Sequence, residues 1–409
     1  MSELPKPVAH DLASPGSLDA MLSAQLDAFA AAGLRRELRR IESREGPRVL
    51  LGDRALLNFS SNDYLGLSGH PAVIDAAARA VREHGAGSAA SRLVCGSLAL
   101  HHHLEEALAD WKGTPAALAF SSGFSAALGT IPAVVGPDDV ILMDRLAHAC
   151  CIDAARLSGA KLRIFRHNDL EHLADLLRAA ESLPGKPRPN ILIVTESVFS
   201  MDGDVAPLRE LIELKDRHGA WLFLDEAHAA GLFGPSRAGL AESLGVGNRV
   251  DLHLGTLGKA VGSAGGFIAG SRPLIDFLVH RARSFVFSTA PVPAAAAAAI
   301  AGIGVIRSEA GQTLAATTWE RAGQLASALP GVGPATSAIL PWILGDEAGA
   351  VVTSDALRTA GILAPAIRYP TVRRGTARIR FTVTASHTPE DIAILANAVN
   401  GLGTEPAHP

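Results

Sequence analysis

One lysine stands among small and apolar residues, in surroundings that suit covalent chemistry at an amine. Residues 253–266 read HLGTLGKAVGSAGG, so that Lys259 follows a short apolar run and Thr256 precedes it by three positions. A lysine in such surroundings is poorly solvated, which favours loss of its proton. An amine of this kind forms a Schiff base with an aldehyde cofactor. A surface lysine in a glycine-rich loop would show the same local pattern.

A carboxylate and an imidazole follow another apolar run, at residues 221–224. The sequence continues there with Asp225, Glu226, Ala227 and His228. Because open parallel α/β sheets bind ligands at the carboxyl ends of their strands, Asp225 and His228 are expected to border a ligand crevice. A helicase box has the same four letters, but it requires a phosphate-binding GxxxxGK[ST] upstream, and the sequence has none. Capping of the next helix stays open for Glu226.

Further polar residues follow strand-like runs and would reach the same edge. Residues 191–194 precede the segment TESVFSMDGD (195–204), which contains Ser200. Residues 140–143 precede Asp144 and, at the start of a helix, His148. A lone histidine is more often a structural residue than a cofactor contact, so the pattern leaves both roles open for His148.

A possible phosphate site follows the first strand-like run of the central region. Residues 120–124 read FSSGF and open a helix. Small residues before a helix leave backbone N–H groups facing an anion, which favours a phosphate cradle. Ordinary capping of the helix by Ser121 or Ser122 explains the same residues.

The elements that must position these residues alternate between strands and helices. Helical periodicity marks residues 170–180 and 208–218, which lie between apolar runs. Such alternation predicts an α/β fold with a mostly parallel seven-stranded sheet and helices on both faces. The runs that form the predicted strands are 116–120, 140–143, 161–165, 191–195, 221–225, 252–255 and 266–269.

The chain changes character near Pro291, where an alanine-rich helix begins. Helices are predicted at 293–306, 315–328 and 388–402, and strands at 338–344 and 377–383. We therefore expect an N-terminal helix and linker at 1–60, a large cofactor-binding domain at 61–290 and a small C-terminal α/β domain at 291–409. The N-terminal helix, at 17–32, is expected to pack with its linker against the small domain.

Composition excludes several classes of protein. The 37 lysines and arginines nearly balance 41 acidic residues, so no broad field for nucleic acid or an anionic membrane is present. The sequence shows neither a membrane span nor a secretion signal, and a cytoplasmic protein is expected. Three cysteines are too few for a disulfide framework in a chain of this size. The three consecutive histidines at residues 101–103 lack the spacing of metal ligands. No metal is expected.

Five segments together resemble the α-oxoamine synthases, which are fold type I enzymes that use pyridoxal 5'-phosphate (PLP). They occur in the family's order and the resemblance covers nearly the whole chain. The segments are NFSSNDYLGL (58–67), FSMDGD (199–204), DEAH (225–228), GTLGK (255–259) and IRYPTV (367–372) with GTARIR (375–380).

The resemblance assigns roles to residues at matching positions. Lys259 would bind PLP covalently and remove a proton from the substrate, while Asp225 would pair with the ring nitrogen and His148 would stack on the ring. His228 and Ser200 would contact the phenolic oxygen side. The phosphate would be bound by Thr256 and the backbone of Gly123 and Phe124, and the substrates by Arg368, Asn62, Thr371 and Arg36, with His148 beside them. Arg35 and Arg39 remain alternatives to Arg36.

The same resemblance implies a decarboxylative condensation of an amino acid with an acyl-CoA or an acyl carrier protein. The segment 367–387 resembles the biotin-pathway branch, which uses L-alanine and a pimeloyl thioester, more than it resembles the glycine C-acetyltransferases. Relatives that use glycine or serine with other acyl-CoAs share the cofactor motifs. An aminotransferase would share Lys259 and Asp225, whereas a non-catalytic partner subunit would lack the lysine. The family also implies a homodimer with its site at the interface.

Overall fold

A seven-stranded sheet forms the centre of the molecule. The computed structural model describes residues 16–182 and 188–403. All neighbouring strands are parallel except at β10, which runs antiparallel to both of its neighbours. The predicted mostly parallel sheet is therefore confirmed. Its order is β4 (Ala116–Phe120), β10 (Gly266–Gly270), β9 (Leu252–Thr256), β8 (Trp221–Asp225), β7 (Ile191–Glu196), β5 (Val140–Asp144) and β6 (Lys161–Phe165).

Helices cover both faces of this sheet, because successive strand residues point to opposite sides. In β8, Leu222 and Leu224 belong to one apolar core, while Phe223 belongs to the other. The Phe223 side is covered by α4 (Gly123–Val134), α5 (Ala149–Ser158), α9 (Arg272–Arg281) and α10 (Arg283–Val286). The opposite side is covered by α2 (Pro71–His84), α3 (Ala99–Lys112), α6 (Leu170–Glu181), α7 (Leu208–His218), α8 (Leu240–Ser243) and α11 (Pro293–Arg307).

Most of the remaining elements in the described ranges belong to two smaller sheets and three C-terminal helices. One sheet is antiparallel, with the order β11 (Ile339–Gly345), β14 (Ala377–Thr382) and β13 (Ala366–Ile367). The other joins β1 (Ile41–Glu45), β2 (Arg48–Leu51), β3 (Arg54–Asn58) and β12 (Ile362–Leu363). The helices are α12 (Glu309–Ala328), α13 (Glu347–Thr359) and α14 (Pro389–Gly401). The domain boundaries at 60 and 290 stay predictions.

The N-terminal helix differs from expectation. Helix α1 (Leu18–Ala31) has no buried residue, so the prediction that it packs against the small domain is wrong. The linker does pair with the C-terminal part, because β3 lies parallel to β12. Ser17 caps this helix, since its side chain accepts a hydrogen bond from the backbone N–H of Ala20 at 3.1 Å.

No single helix within residues 16–182 and 188–403 is long and apolar enough to cross a bilayer. Helices α11 and α12 reach that length and apolarity only when taken together, and they are bent by 77° at the break between them.

A histidine holds the carboxyl edge of the central sheet together. Nδ1 of His167 lies 3.0 Å from a carboxylate oxygen of Asp144, at the end of β5, and Nε2 lies 2.7 Å from Asp204, in the turn after β7. Burial opposes a charge on His167, but the bonds to both carboxylates outweigh it and raise its pKa to about 10. A charged imidazolium thus joins the ends of two strands to the turn that contains Ser200.

This clamp predicts a pH-dependent stability. Because the folded-state pKa of His167 is raised, its contribution is complete below its unfolded pKa and is lost as pH rises through the folded value. Replacing His167 by Gln should lower the free energy of unfolding by about 2 kcal/mol near pH 6 and by much less near pH 10. Urea unfolding of both proteins across this range measures the difference, and a pH-independent difference would contradict the clamp.

Candidate active site

Lys259 lies in the loop between the antiparallel strands β9 and β10. Its Nζ is 3.0 Å from Nε2 of His228, which follows the end of β8. Burial lowers the pKa of Lys259, and the carboxylates of Asp225 and Glu196 oppose this shift. An amine in this balance gives up its proton more readily than a surface lysine and still has acids nearby. The structure therefore brings together the two residues on which the sequence-based prediction depends most.

Asp225 is a buried carboxylate with few partners of its own. It accepts a hydrogen bond from the backbone N–H of Ala227 at 2.9 Å. Burial raises the pKa of Asp225, while the nearby charge of Lys259 lowers it. A buried carboxylate that receives so little compensation is stabilised by a cation placed against it. A protonated ring nitrogen would supply that cation.

His228 is kept neutral by its surroundings. Burial lowers its pKa well below the usual value, and the charges of Lys259 and Arg380 act in the same direction. Its Nδ1 lies 2.6 Å from the hydroxyl of Tyr64, which is itself 3.3 Å from Oδ1 of Asn62. Sequence reasoning missed Tyr64, although it stands inside the segment NFSSNDYLGL and is fully buried.

A second missed residue is Arg380, on β14. Its guanidinium donates to the backbone carbonyl of Ser200 and, at 3.3 Å, to Oδ1 of Asn62. Arg378 lies two positions earlier and donates to Asp202 at 2.6 Å. Both arginines are buried. Two cations that alternate with apolar residues in a strand share one face, and that signal could have identified them.

Glu196 is a third missed residue, and it ends the strand beside Asp225. One of its carboxylate oxygens accepts from the backbone N–H of Ser200 at 3.2 Å, while the other is buried without a partner among the described residues. Burial and the nearby Asp225 raise the pKa of Glu196 well above its usual value. The strand ends thus place a carboxyl group that favours its neutral form beside Asp225.

The predicted phosphate cradle has a fitting geometry. Helix α4 begins at Gly123, and the first N–H groups of a helix have no intrahelical partner. The hydroxyl of Thr256 is buried and has no partner among the described residues. A Cβ atom on Gly123 would lie 2.5 Å from Cγ2 of Thr256, so only glycine permits this approach. Free N–H groups and an unpaired hydroxyl suit a phosphate, and the Ser122 cap of the same helix is also present.

His148 follows β5 and caps the N-terminus of helix α5. Its side chain is exposed. Its Nδ1 accepts from the backbone N–H of Cys150 at 3.3 Å and lies 3.0 Å from the sulfur of that residue. The bond to Cys150 raises the pKa of His148. The flat face of the ring is not occupied by these contacts.

The predicted substrate residues form two groups. Arg36 lies 3.5 Å from the hydroxyl of Thr371, and Arg368 donates to the backbone carbonyls of Gly33 and Arg35. These side chains are therefore joined to one another and to the N-terminal segment. Asn62 was expected beside Arg368, but its hydrogen bonds are to Tyr64 and Arg380 instead.

Glu226 anchors the turn between Asp225 and His228. Its carboxylate forms an ion pair with Lys112 and accepts from the backbone N–H of Ala241 in α8 at 3.0 Å, so it does cap the next helix. Nδ1 of His253 lies 3.1 Å from the same carboxylate. Burial would raise the pKa of Glu226, but Lys112 and His253 outweigh it and lower it to about 2.

The chain is similar over most of its length to known proteins. A family model described as aminotransferase class I and II matches residues 54–399. A protein from Anaeromyxobacter dehalogenans named 8-amino-7-oxononanoate synthase is 50% identical over 91% of this chain and 92% of its own length. One of the same name from Geotalea daltonii is 43% identical over 93% and 96%. A solved serine palmitoyltransferase variant from S. paucimobilis, with a bound PLP–myriocin aldimine, has a TM-score of 0.88 and 29% identity, and the match covers 95% of this chain and 98% of that one.

The chain belongs to the aminotransferase class I and II family, and it is a fold type I enzyme that uses PLP. Within that class it is an acyltransferase similar to the 8-amino-7-oxononanoate synthases. The resemblance to the α-oxoamine synthases is confirmed, whereas the roles of individual site residues remain proposals.

The Glu226 anchor leads to a test with a matched control. Replacing Lys112 by Met leaves a buried carboxylate without its cation and should lower the free energy of unfolding by about 3 kcal/mol. Because Glu226 fixes the Asp225–His228 turn, the absorption spectrum of bound PLP should also change.

The control is Lys215→Met. Lys215 is a buried lysine 3.0 Å from Asp251, at the opposite end of β8 and β9. Its loss should destabilise the protein less, since Asp251 is partly exposed, and should leave the PLP spectrum unchanged. Equal spectral changes in the two variants, or none in either, would rule out a specific role for Lys112.

Proposed function

We propose that this enzyme condenses L-alanine with a pimeloyl thioester in biotin biosynthesis. The products would be 8-amino-7-oxononanoate, carbon dioxide and the free thiol. The observation that carries the proposal is the contact between Lys259 and His228, beside the under-compensated carboxylate of Asp225. The choice of alanine and pimelate rests on relatives named 8-amino-7-oxononanoate synthase.

The residues present fit the cofactor. PLP, when bound, binds amines covalently through its aldehyde and accepts electrons from a bond that breaks next to the amine. Asp225 would keep a proton on the ring nitrogen. Thr256 would bind the phosphate together with the backbone of Gly123 and Phe124, and His228 and Ser200 would lie on the side of the phenolic oxygen.

Lys259 and His148 would act on the substrate. The lowered pKa of Lys259 makes its amine a base that can accept the α-proton of the amino acid. His148 would lie flat against the ring and present its free nitrogen to the reacting groups. Neutral His228, 3.0 Å from Nζ, would hold the lysine amine in position without repelling a proton from it.

The amino acid must be held so that the bond to be broken stands perpendicular to the cofactor ring. A guanidinium grips a carboxylate through two parallel hydrogen bonds, which fixes such an angle. We propose Arg368 for this contact, with Asn62, Thr371 and Arg36 as further substrate residues. Arg36 is favoured over Arg35 and Arg39 because its side chain reaches Thr371.

A panel that measures thiol release tests the substrate assignment. Purified enzyme with PLP is given alanine, glycine or serine, each with pimeloyl-CoA, pimeloyl carrier protein, acetyl-CoA or palmitoyl-CoA. We expect release only with alanine and a pimeloyl thioester. Release with glycine or serine and another thioester would identify a different α-oxoamine synthase, and transfer of the amine to a keto acid without thiol release would indicate an aminotransferase.

The control variant is Lys259→Ala, which should reduce turnover by at least 1,000-fold. Borohydride reduction should add the mass of a pyridoxyl phosphate group to the Lys259 peptide of the native enzyme. Retained turnover, or the added mass on another lysine, would contradict the role of Lys259.

We propose that the enzyme is a homodimer with its site at the interface. Five large apolar residues share one face of α1, and each is between 42% and 67% exposed: Leu18, Met21, Leu22, Leu26 and Phe29. A patch of this kind on a helix without buried residues supports a surface that a second copy of the chain covers. Phe124, next to the phosphate cradle, is 43% exposed and supports a second copy near the site.

Sedimentation velocity tests the dimer. The native enzyme should sediment as a dimer, and Leu22→Glu with Leu26→Glu should weaken association at least tenfold because two charges would enter the interface. The control is Leu157→Glu, at a leucine on α5 that is 64% exposed. A monomeric native enzyme, or equal dissociation in the control, would refute this interface.

A further inference from the structure

Two adjacent cysteines lie under the site, and they differ in what they touch. Cys150 and Cys151 are both buried in the first turn of α5. The sulfur of Cys150 lies 3.0 Å from Nδ1 of His148, whereas Cys151 contacts the sulfur of Cys150 at 3.9 Å. Among the described residues, Cys151 makes no hydrogen bond to the histidine side chain.

Cys150 holds the imidazole by two atoms. Its backbone N–H donates a hydrogen bond to Nδ1 of His148, and its sulfur lies within hydrogen-bonding distance of the same nitrogen. A ring that is held at one nitrogen by both a backbone and a side-chain group has lost most of its freedom to turn about χ2. Nε2 of His148 makes no hydrogen bond within the described ranges, so it is left for another partner.

We propose that Cys150 is a positioning residue, whose thiol fixes the plane of His148 and directs Nε2 towards the substrate. This inference rests on the proposed contact of His148 with the cofactor. The sequence alone gives no reason to assign a role to the Cys150 thiol.

The chemistry of the pair is consistent with this assignment. Hydrogen bonds from Cys151 and His148 lower the pKa of Cys150 to about 6, although burial opposes them, and the bond to Cys150 raises that of His148. With the proton on sulfur, Nδ1 accepts from both the thiol and the backbone N–H of Cys150, and the two bonds together hold the ring.

Three variants of the full-length PLP enzyme test the proposal. Cys150→Ala removes the thiol but keeps the backbone N–H, so the ring gains freedom and kcat should fall about tenfold with little change in PLP content. Cys150→Ser restores a donor to Nδ1 and should recover most of the activity. Cys151→Ala removes an equally buried sulfur that does not touch His148, and it should behave as the native enzyme.

Visible circular dichroism of bound PLP provides the second measurement. It reports the orientation of groups around the ring, so it should change in Cys150→Ala, return in Cys150→Ser and stay unchanged in Cys151→Ala. Equal losses in the two alanine variants would show that the thiols only fill space and would overturn the proposal. Native kinetics and dichroism in Cys150→Ala would overturn it as well.

A fourth variant separates this inference from the proposed site. Replacing His148 by Ala should reduce kcat more than any change at Cys150. If His148→Ala leaves both kcat and the dichroism unchanged, the proposed role of His148 itself fails. If His148→Ala is impaired while Cys150→Ala is native, only the role of Cys150 fails.

Discussion

The site depends on the mutual compensation of charges that the fold has removed from water. Asp225, Glu196, Lys259 and Arg380 lie close enough at the carboxyl edge of the central sheet to shift one another's pKa values or that of a shared neighbour. None of these four side chains has its charge fully compensated by a single partner, so the pKa of each titrating group depends on all of its neighbours. Such a set remains responsive to a further charged group, and in the proposed site a protonated cofactor ring would complete it.

A second set of buried charges has the opposite character. Glu226, next in sequence to Asp225, is paired with Lys112 and also contacts His253 and a helix N–H. Its pKa is lowered, whereas that of Asp225 is raised. Adjacent acidic residues therefore differ in function because their side chains leave the strand on opposite sides: one is fully compensated and structural, and the other is left available for a ligand.

The strands of the central sheet, and the polar residues at their ends, could be predicted from the sequence because both follow from local patterns. Each of the seven predicted strands begins where the structure places it. Lys259 contacts His228 as expected, and its charge lies near enough to Asp225 to lower the pKa of that carboxyl. The long-range partners escaped prediction. Tyr64 and Arg380 reach the site from segments that are far from it in the chain, and no periodicity reports such a contact. The exposure of α1 also escaped, since an apolar stripe predicts a covered face without naming what covers it.

The two arginines of β14 have a mechanical consequence. Arg378 and Arg380 hold Asp202, Met201 and Ser200, three successive residues of a turn that belongs to the central sheet. The same turn is tied by Asp204 to His167 on the far side. A displacement of the sheet formed by β11, β14 and β13 would therefore pull on this turn through the two arginines. The contact between Asp204 and His167 would oppose that displacement. The position of Ser200 is therefore fixed from two sides, by the arginines of β14 and by the contact of Asp204 with His167.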